Sequence, residues 1–363
     1  MRIGLFIDTF NLGGAEIMVF ELALLLKKQG YHPVLLHFGS EYIDAFCSEN
    51  KLEHYCLPNR KEYKKTLLLP FFAVKTRSFI KKLKLDCVHS HLYGPIVAMG
   101  LTCFLARVPH IGTLHDEYTI EERPSRIKLL KLVVSLGTKL IAVSTPMRKF
   151  YVNRGGFSEK VLKCVPNFSP TPNANELAHV TSLRSDFSLS EDTFVVLGVG
   201  RLVELKQFEH LVAAMKLVPE GAHLFIAGQG PEEQSIRSKI EELGLQARVT
   251  LLGERNDISS LLAQADVFAL VSRTEGMSRS ILEAMGLGLP IVATDVGGNS
   301  DLVENNVNGF LVESGNIEQI AKALSLLVQS QELTQRLGAQ SLLKAQNKFS
   351  AERFIESHIQ LYR

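Results

Sequence analysis

The sequence reads Asp266-Val-Phe-Ala-Leu-Val271 and then, after three intervening residues, Glu275-Gly-Met-Ser-Arg-Ser-Ile-Leu-Glu283. From Val267 to Val271 the first piece is a continuous apolar run, which is typical of a strand buried on both faces of a parallel sheet. The second piece predicts a helix that opens at the turn carrying Glu275 and ends at Gly286. On such a helix the two glutamates lie about 12 Å apart along the axis, whereas a glycoside hydrolase needs about 5 to 10 Å between its carboxyl groups.

Two carboxylates at this spacing suit the two ends of one long ligand whose anionic middle lies near a helix N-terminus. A sugar, a diphosphate and a nucleoside, in that order, match this description. The structural alternative is a surface glutamate followed by a glutamate on an ordinary amphipathic helix. The two residues alone leave both interpretations open.

Apolar runs of strand length alternate with helix-length segments along the whole chain. This alternation predicts an α/β protein with parallel sheets covered by helices on both faces. The predicted strands are 3–7, 34–38, 87–90, 111–114, 140–143, 195–199, 224–227, 249–252, 267–271 and 291–293.

The chain of 363 residues is longer than one hydrophobic core usually supports, so we expect two domains. Residues 166–175 contain three prolines and three asparagines, a composition typical of a linker. The prediction is an N-terminal domain over 1–168, a linker over 166–176 and a C-terminal domain over 177–349. Residues 351–363 predict one more amphipathic helix.

Composition favours an intracellular protein. The five cysteines lack Cys-x-x-Cys spacing and are interpreted as reduced thiols, neither a disulfide framework nor a zinc site. A strand-like run starts at Arg2 without a signal-peptide pattern before it, and no apolar stretch is long enough to predict a transmembrane helix. We therefore expect a cytoplasmic protein.

Charge is distributed unevenly. Residues 1–170 contain 24 Lys and Arg against 14 Asp and Glu, although the whole chain has a net charge of only +2. The clearest basic run is Lys75 to Lys84, with apolar residues interleaved, which suits a helix lying on the inner face of an anionic membrane. A solvated helix face is the alternative. No aromatic-basic stacking module or zinc finger is present, so nucleic acid is disfavoured as a partner.

Loops that follow strands are where doubly wound sheets bind ligands. The first such loop contains Gly13, Gly14 and Glu16, and its glycines allow the backbone to approach a phosphate or a sugar. It is not Gly-x-Gly-x-x-Gly, and no acidic residue ends the second strand, so a nicotinamide dinucleotide site is disfavoured. A tight strand-to-helix turn remains the alternative.

The second loop, Gly198-Val-Gly-Arg-Leu-Val-Glu-Leu-Lys206, contains Arg201 and Lys206. Two cations beside glycines could neutralise a diphosphate and stabilise it as a leaving group. The missing Gly-Lys-Ser/Thr ending excludes a Walker loop. The third loop, Gly228 to Pro231 with Gly230, either shapes a nucleotide pocket or is an ordinary turn.

Three histidines follow or end predicted strands: His89, His91 and His115. A metal site would need all three in comparable positions, so we expect none. His89 and His91 are interpreted either as packing residues or as site residues, and His115, beside Asp116, as a functional residue.

Together these pieces resemble the retaining glycosyltransferases of family 4, also called glycosyl transferases group 1. The matching motifs span residues 3–312 and include Gly13-Gly-Ala-Glu16, His89-Ser-His91, Thr113-Leu-His-Asp116, Gly198–Lys206 and Asp266–Glu283. The resemblance implies the GT-B architecture of two facing Rossmann-like domains with a central cleft. It also implies that the C-terminal helix packs back onto the N-terminal domain.

The resemblance implies a role for each candidate residue. Glu275 and His115 are expected to be catalytic, and Arg201, Lys206 and Gly14 to bind the donor diphosphate. The remaining expectations are sugar binding by Gly276, Met277 and Ser278, nucleotide binding by Glu283, Gly230, Asp257 and Ile258, and an acceptor side formed by His91, Gly13 and Glu16.

The implied activity is transfer of a sugar from a UDP- or GDP-linked donor to a hydroxyl acceptor with retention of configuration. No Asp-x-Asp is present, which agrees with the metal-independent mechanism and lack of cofactor that the resemblance implies. Polysaccharide or glycolipid synthesis is the expected setting. A GT-B nucleotide-sugar epimerase and a non-catalytic nucleotide-sugar-binding subunit are the alternatives.

Overall fold

The computed structural model describes residues 1–8, 13–171 and 182–363. These residues form two compact units. Unit 1 comprises Met1–Asn167 and Glu352–Arg363, and unit 2 comprises Phe168–Ala351. The last five residues of the predicted linker, 172–176, and the first residues of the predicted C-terminal domain fall in 172–181, outside the described residues.

Unit 1 is built on a parallel sheet of seven strands in the order β3-β2-β1-β4-β5-β6-β7. Its strands are β1 (Arg2–Phe6), β2 (His32–His37), β3 (Glu53–Cys56), β4 (Cys87–His91), β5 (His110–Leu114), β6 (Lys139–Ala142) and β7 (Leu162–Cys164). Its first helices are α1 (Gly14–Lys28), α2 (Glu41–Asn50), α3 (Arg60–Tyr63), α4 (Leu69–Lys82), α5 (Tyr93–Ala106), α6 (Tyr118–Glu122), α7 (Ile127–Ser135) and α8 (Thr145–Gly155).

Unit 2 is built on a parallel sheet of six strands in the order β10-β9-β8-β11-β12-β13. Its strands are β8 (Phe194–Val199), β9 (Ala222–Ala227), β10 (Val249–Gly253), β11 (Val267–Leu270), β12 (Ile291–Thr294) and β13 (Gly309–Val312). Its helices are α9 (Leu183–Asp186), α10 (Phe208–Met215), α11 (Glu233–Glu242), α12 (Ile258–Ala263), α13 (Arg279–Gly286), α14 (Asn299–Leu302), α15 (Ile317–Val328) and α16 (Gln331–Lys348). The last helix is α17 (Ala351–Tyr362).

Burial explains why the sequence pattern predicted so much of this fold. The central strands β1, β4, β8 and β11 are almost fully buried, because helices cover both faces of each sheet, and such strands read as apolar runs. All ten predicted strands are present, and the prediction of an α/β protein with parallel sheets is confirmed.

Three strands were missed by the sequence reading, namely β3, β7 and β13, and all three lie at sheet edges. An edge strand is covered less completely and needs fewer apolar residues. The residues of β3, Glu53 to Cys56, are half-buried or exposed. β7 has only three residues, which is too short for a periodic signal.

The C-terminal helix α17 contacts the sheet of unit 1 through buried polar groups. The Tyr362 hydroxyl lies 2.7 Å from Nδ1 of His89, whose Nε2 lies 2.7 Å from the Thr113 hydroxyl. The ring of His358 lies 5.6 Å from that of His89, and its Nδ1 donates to the Phe354 carbonyl at 2.9 Å. The helix is therefore held by specific hydrogen bonds as well as by apolar packing.

Lowering the pH below about 6.5, where histidines of an unfolded chain titrate, should destabilise unit 1. Burial lowers the pKa of His358 to about 4 and that of His110 to about 3, so the folded unit keeps these rings neutral. Between those values and about 6.5 the unfolded chain binds protons that the folded chain does not, and the free energy of unfolding falls as the pH falls. Above about pH 6.5 these histidines contribute no pH dependence.

Chemical denaturation at a series of pH values measures this effect. The variant His358→Gln should show a shallower loss of stability between about pH 6.5 and 4 than the unaltered protein. His32→Gln, at an exposed position, is the matched control and should keep the original slope. An unchanged slope in His358→Gln would contradict the assignment.

Candidate active site

The centre of the site in unit 2 is an ion pair between Lys206 and Glu275. Lys206 ends a short turn, Glu204–Lys206, in the loop after β8, and Glu275 lies in the loop between β11 and α13. Glu275 Oε1 also accepts a hydrogen bond of 2.6 Å from the Ser272 hydroxyl. The Glu275 side chain is only 10% exposed, which removes most of its hydration. The Lys206 ammonium and the Ser272 hydroxyl compensate for much of that loss.

Backbone contacts fix the loop that carries Glu275. The Arg273 amide donates to the Leu205 carbonyl at 2.8 Å, which joins this loop to that of Lys206. The Thr294 hydroxyl, at the end of β12, donates to the Ser272 carbonyl at 2.6 Å. Sequence reasoning missed Ser272, although its place directly after a buried strand is the signal that pointed to other site loops.

Gly297 brings the loop after β12 against the backbone of Glu275. Its φ is +47°, and a Cβ at this position would lie 1.7 Å from the Glu275 carbonyl oxygen. The amide of Gly298 donates to the same oxygen at 3.3 Å. Only glycine permits this approach, so Gly297 and Gly298 support the position of Glu275.

The helix after Glu275 begins later than the sequence suggested. Ser278 is the N-cap of α13 and accepts a 3.3 Å hydrogen bond from the Ile281 amide, so the first helical residue is Arg279. The estimate of about 12 Å between the two glutamates assumed a helix along the whole stretch and was wrong in that respect. A serine cap competes with continued helix because its side chain satisfies an otherwise free amide.

The predicted sugar-binding residues Gly276, Met277 and Ser278 occupy the turn before this cap. Met277 is buried and Ser278 is only 4% exposed, with its hydroxyl capping the helix. A ligand at this turn would therefore contact the backbone more readily than the side chains of Met277 and Ser278.

Glu283 lies in the second turn of α13, one helical turn after Arg279. Its Oε1 is 2.8 Å from Nε of Arg279, and both side chains are at most 20% exposed. A ligand hydroxyl that approached Glu283 would share the carboxylate with this guanidinium.

The loops after β8 and β9 pack against each other through glycines. A Cβ on Gly228, where φ is +148°, would lie 1.9 Å from the Gly200 carbonyl oxygen, and one on Gly230 would lie 2.3 Å from the Leu202 carbonyl oxygen. The Leu202 amide donates to the backbone carbonyl of Gln229 at 2.9 Å. Gly230 is thus required by packing, and the exposed side chain of Arg201 projects from this paired-loop structure.

Asp257 and Ile258 follow the edge strand β10. The Asp257 carboxylate accepts two hydrogen bonds from Arg255, at 2.8 and 2.6 Å, and this guanidinium holds the pKa of Asp257 below its usual value. Ile258 is the first residue of α12. The predicted base-binding loop is therefore ordered by its own ion pair.

In unit 1 His91, predicted on the acceptor side, contacts His115, predicted to be catalytic. His91 Nδ1 lies 3.1 Å from His115 Nε2, and the rings of His89 and His91 lie 4.2 Å apart. Burial lowers the pKa of His115 to about 4 and that of His91 well below 6.5, so both rings are neutral near pH 7. Nε2 of His91 is buried without a hydrogen-bond partner among the described residues.

Glu117, two residues after His115, is a group that sequence reasoning missed. Burial raises the pKa of its carboxyl group to about 7, and its Oε1 is buried without a hydrogen-bond partner among the described residues. The sequence signal that could have identified Glu117 is its position in the loop after β5. A carboxyl group with this pKa exchanges a proton readily near neutral pH.

Gly13 and Gly14 begin helix α1, with Gly13 as its N-cap. Glu16 is buried at the third helical position, and a Cβ on Gly13 would lie 2.9 Å from its Oε2. Asp8, also missed from the sequence, follows β1 and accepts a hydrogen bond from the Tyr63 hydroxyl. Burial raises the pKa of Asp8, and the nearby Glu16 carboxylate adds to that shift.

One group among the described residues has the spacing of a metal site: His37, Asp44 and His54. Nδ1 of His37 accepts hydrogen bonds from the amides of Gly39 and Ser40, at 3.2 and 3.0 Å. Those bonds leave the ring proton on Nε2, the atom that faces Asp44 at 3.3 Å. A metal at Nε2 would displace that proton, so the group fits a hydrogen-bonded cluster better than a metal centre.

Comparison with known proteins assigns the family. The family model for glycosyltransferase family 4 matches residues 12–171, and that for glycosyl transferases group 1 matches residues 180–342. The two models together span most of the chain. The chain therefore belongs to the group 1, family 4 glycosyltransferases of GT-B type, as the sequence motifs predicted.

Individual relatives agree with this assignment. An uncharacterized glycosyltransferase of Haemophilus influenzae is 29% identical over 98% of both chains. The UDP-Gal:α-D-GlcNAc-diphosphoundecaprenol α-1,3-galactosyltransferase of Escherichia coli is 29% identical over 68% of this chain and 67% of its own. The crystal structure of Anabaena Alr3699/HepE in complex with UDP has a TM-score of 0.84 at 21% identity and covers 99% of each chain, which shows the same fold.

In residues 1–8, 13–171 and 182–363, no helix combines the length and the apolar character needed to span a membrane.

The substitution Gly297→Ala should destabilise unit 2 more than Gly221→Ala. Both positions have a positive φ, +47° and +92°, so both variants carry backbone strain of about 1–2 kcal/mol. Only the methyl group at 297 meets the Glu275 carbonyl, because nothing lies within 4 Å of a Cβ at 221. We expect the free energy of unfolding to fall by about 2 kcal/mol more in Gly297→Ala, as measured by denaturant titration. Equal losses in the two variants would contradict the close approach.

Proposed function

We propose that this protein transfers a sugar from a UDP- or GDP-linked donor to a hydroxyl acceptor, with retention of configuration at the anomeric carbon. The observation that carries the proposal is the ion pair of Lys206 and Glu275, beside the loop of Arg201 at the carboxyl ends of β8 and β11. Ligands of doubly wound sheets bind at these ends. The retaining stereochemistry rests on the resemblance to family 4.

In this proposal the donor diphosphate binds to Arg201 and Lys206. The exposed guanidinium offers a planar fork, and Lys206 exchanges part of its contact with Glu275 for a phosphate oxygen. As the glycosidic bond to the diphosphate breaks, negative charge grows on the leaving group. Two cations held in place before the reaction stabilise that charge.

Glu275 then acts as a positioning and electrostatic group for the transferred sugar. Its Oε1 is held by Ser272, so the carboxylate keeps its direction when Lys206 moves to the phosphate. A fixed carboxylate both accepts sugar hydroxyl groups and stabilises positive charge at the anomeric centre. Glu283 accepts ribose hydroxyls, and the turn at Gly276 offers backbone amides to the sugar.

On the acceptor side, His115 is neutral near pH 7 and can accept or donate one hydrogen bond to an incoming hydroxyl. His91 orients it through the 3.1 Å contact between their ring nitrogens. Gly13 and Glu16 form the other part of this side, at the start of α1, whereas Gly14 stays assigned to the donor diphosphate. The closeness of the Gly13 backbone to the Glu16 carboxylate supports their assignment to one subsite.

The setting we propose is polysaccharide or glycolipid synthesis in the cytoplasm, in contact with an anionic membrane surface. The Escherichia coli relative acts, by its name, on a diphosphoundecaprenol-linked sugar with UDP-Gal as donor, which supports a UDP-sugar and a lipid-linked acceptor here. The excess of Lys and Arg in residues 1–170 supports the membrane contact. We propose no metal requirement, because Arg201 and Lys206 supply the positive charge.

The substitution Glu275→Ala should lower the turnover number by about a hundredfold to a thousandfold, the scale for loss of one preorganised polar group. The assay is release of nucleoside diphosphate from a panel of UDP- and GDP-sugars with candidate acceptors. Glu242→Ala, on the exposed face of α11, removes a carboxylate of the same kind and should leave turnover unchanged. Near-normal transfer by Glu275→Ala would remove this residue from the active site.

The substitution Lys206→Ala should weaken binding of UDP or GDP by about tenfold or more, since one charge-assisted contact to phosphate is lost. Isothermal calorimetry with the free nucleoside diphosphate measures this directly. Lys239→Ala, which removes an exposed lysine paired with Glu242, is the matched control. An affinity equal to that of the control would break the assignment of the diphosphate site.

Two further incubations test the epimerase alternative and the proposed lack of a metal requirement. An epimerase would convert the nucleotide sugar without an acceptor, whereas a transferase needs one for product formation. Activity that persists in excess EDTA supports the metal-free mechanism, and activity lost in EDTA and restored by a divalent cation contradicts it.

A further inference from the structure

Arg279 lies at an unfavourable position for the stability of helix α13. It is the first helical residue after the Ser278 cap, at the end where the backbone amides carry positive partial charge. An acidic side chain is favoured in this first turn, where α13 has Arg279, Ser280 and Ile281. The energetics of the helix therefore do not explain a guanidinium at this place.

The ion pair of Arg279 with Glu283 also has the less favourable order along the helix. A pair four residues apart stabilises a helix more when the glutamate comes first, because each charge then faces the favourable helix end. Glu233 and Arg237 on α11 have that order. In α13 the order is reversed, so the stability of the helix does not account for the pair.

The pair on α13 is less exposed than the pair on α11. The side chains of Arg279 and Glu283 are 16% and 20% exposed, whereas those of Arg237 and Glu233 are 49% and 37% exposed. Nε of Arg279 lies 2.8 Å from Oε1 of Glu283. Partial burial strengthens this contact and reduces its screening by salt, so the guanidinium restricts the orientation of the carboxylate.

The backbone of α13 is fixed independently of this pair. The Ser169 hydroxyl donates to the Leu282 carbonyl at 2.7 Å, and a Cβ on Gly286 would lie 2.5 Å from the same hydroxyl oxygen. The side chains of Leu282 and Met285 are fully buried. The helix therefore has its core contacts, and the pair determines the direction of one further side chain, that of Glu283.

Arg279 lies between the two ends of the proposed donor site. Helix α13 follows β11, so its first turn lies near the carboxyl end of that strand, where doubly wound sheets bind ligands. Glu283 lies one turn further along the helix, about 6 Å along the axis. The guanidinium is therefore placed between the loop of Glu275 and the carboxylate that is assigned to the ribose.

We infer that Arg279 is a positioning residue of the donor site and makes this site selective for nucleotides whose pentose is ribose. The inference rests on the proposed function, in which Glu283 accepts ribose hydroxyls. A carboxylate held in one orientation accepts hydrogen bonds from the 2′- and the 3′-hydroxyl without losing side-chain freedom on binding. A site built around a hydroxyl rejects an analogue that lacks it, so the donors are ribonucleoside diphosphate sugars and 2′-deoxyribonucleotide donors are disfavoured.

Isothermal calorimetry with free nucleotides tests the inference without any acceptor. The probes are UDP with 2′-deoxy-UDP and GDP with 2′-deoxy-GDP. The unaltered chain should bind the 2′-deoxy analogue of its preferred nucleotide about tenfold more weakly, because a hydrogen bond to a charged group is lost. We call this ratio of the two dissociation constants the ribose discrimination.

The substitution Arg279→Met removes the guanidinium and keeps a side chain of similar length. It should weaken binding of the ribonucleotide about tenfold and that of the 2′-deoxy analogue only about threefold, because the analogue has one hydroxyl fewer to contact Glu283. The ribose discrimination then falls to about threefold. Arg237→Met, which breaks the exposed pair of the same spacing on α11, is the matched control and should leave both affinities unchanged.

The conservative variant Arg279→Lys keeps the positive charge and a side chain suited to a helix. Its ribose discrimination should lie between that of the unaltered chain and that of Arg279→Met, and it provides a test even if the methionine variant does not fold. A lysine variant that discriminates less than the methionine variant would contradict the ion pair as the cause. Circular dichroism melting verifies that each variant is folded.

A double-mutant cycle identifies the residue through which Arg279 acts. Glu283→Ala should remove the ribose discrimination, and adding Arg279→Met to it should weaken ribonucleotide binding by less than about twofold more. Three results would overturn the inference. They are full additivity of the two substitutions, equal weakening of both nucleotides by Arg279→Met, which indicates a direct contact with the diphosphate, and a loss of stability in Arg279→Met with unchanged discrimination.

The same measurements keep the inference separate from the proposed function. If the unaltered chain binds no ribonucleoside diphosphate, or if Glu283→Ala leaves the ribose discrimination unchanged, the proposed donor site itself is wrong. If Glu283→Ala removes the discrimination and Arg279→Met leaves it intact, the donor site stands and only the positioning role of Arg279 is refuted.

Discussion

The candidate site in unit 2 depends on how the nearly buried carboxylate of Glu275 is stabilised by its neighbours. A carboxylate removed from water is unfavourable unless cations and hydrogen-bond donors replace its hydration. Lys206 and Ser272 supply these groups, and they come from loops after two adjacent strands, β8 and β11. The ion pair therefore exists only if the parallel sheet brings both loops to one edge, which makes the fold a precondition of the site.

Close backbone approach is the second constraint. Gly228, Gly230 and Gly297 each face a carbonyl oxygen at a distance that no side chain would permit. These contacts bring the loops after β8 and β9 together, and they bring the loop after β12 against Glu275. The glycines of the motifs are thus explained by contacts between loops, and contact with a ligand is a further role that we propose for some of them.

Unit 1 uses a different electrostatic arrangement. Its candidate groups are neutral histidines, His91 and His115, and carboxyl groups whose pKa values are raised by burial, Asp8 and Glu117. Unit 2 instead holds charged side chains in ion pairs. In the proposed reaction this difference is useful, because a neutral ring or carboxyl group can exchange a proton with a hydroxyl while fixed charges stabilise a diphosphate.

The sequence by itself determined the fold class, ten of the strands and the family, since buried strands read as apolar runs and the motifs Gly198–Lys206 and Glu275–Glu283 lie in fixed order along the chain. It also pointed to Lys206 and Glu275 separately. Only the tertiary structure decided that Lys206 and Glu275 form one pair, because they lie 69 residues apart on different loops. It also decided that Ser272 holds Glu275, because the conformation of their shared loop brings the two side chains together. The same reason explains why Asp8, Tyr63 and Glu117 escaped detection: their roles come from burial and from neighbours on other elements, which local patterns do not encode.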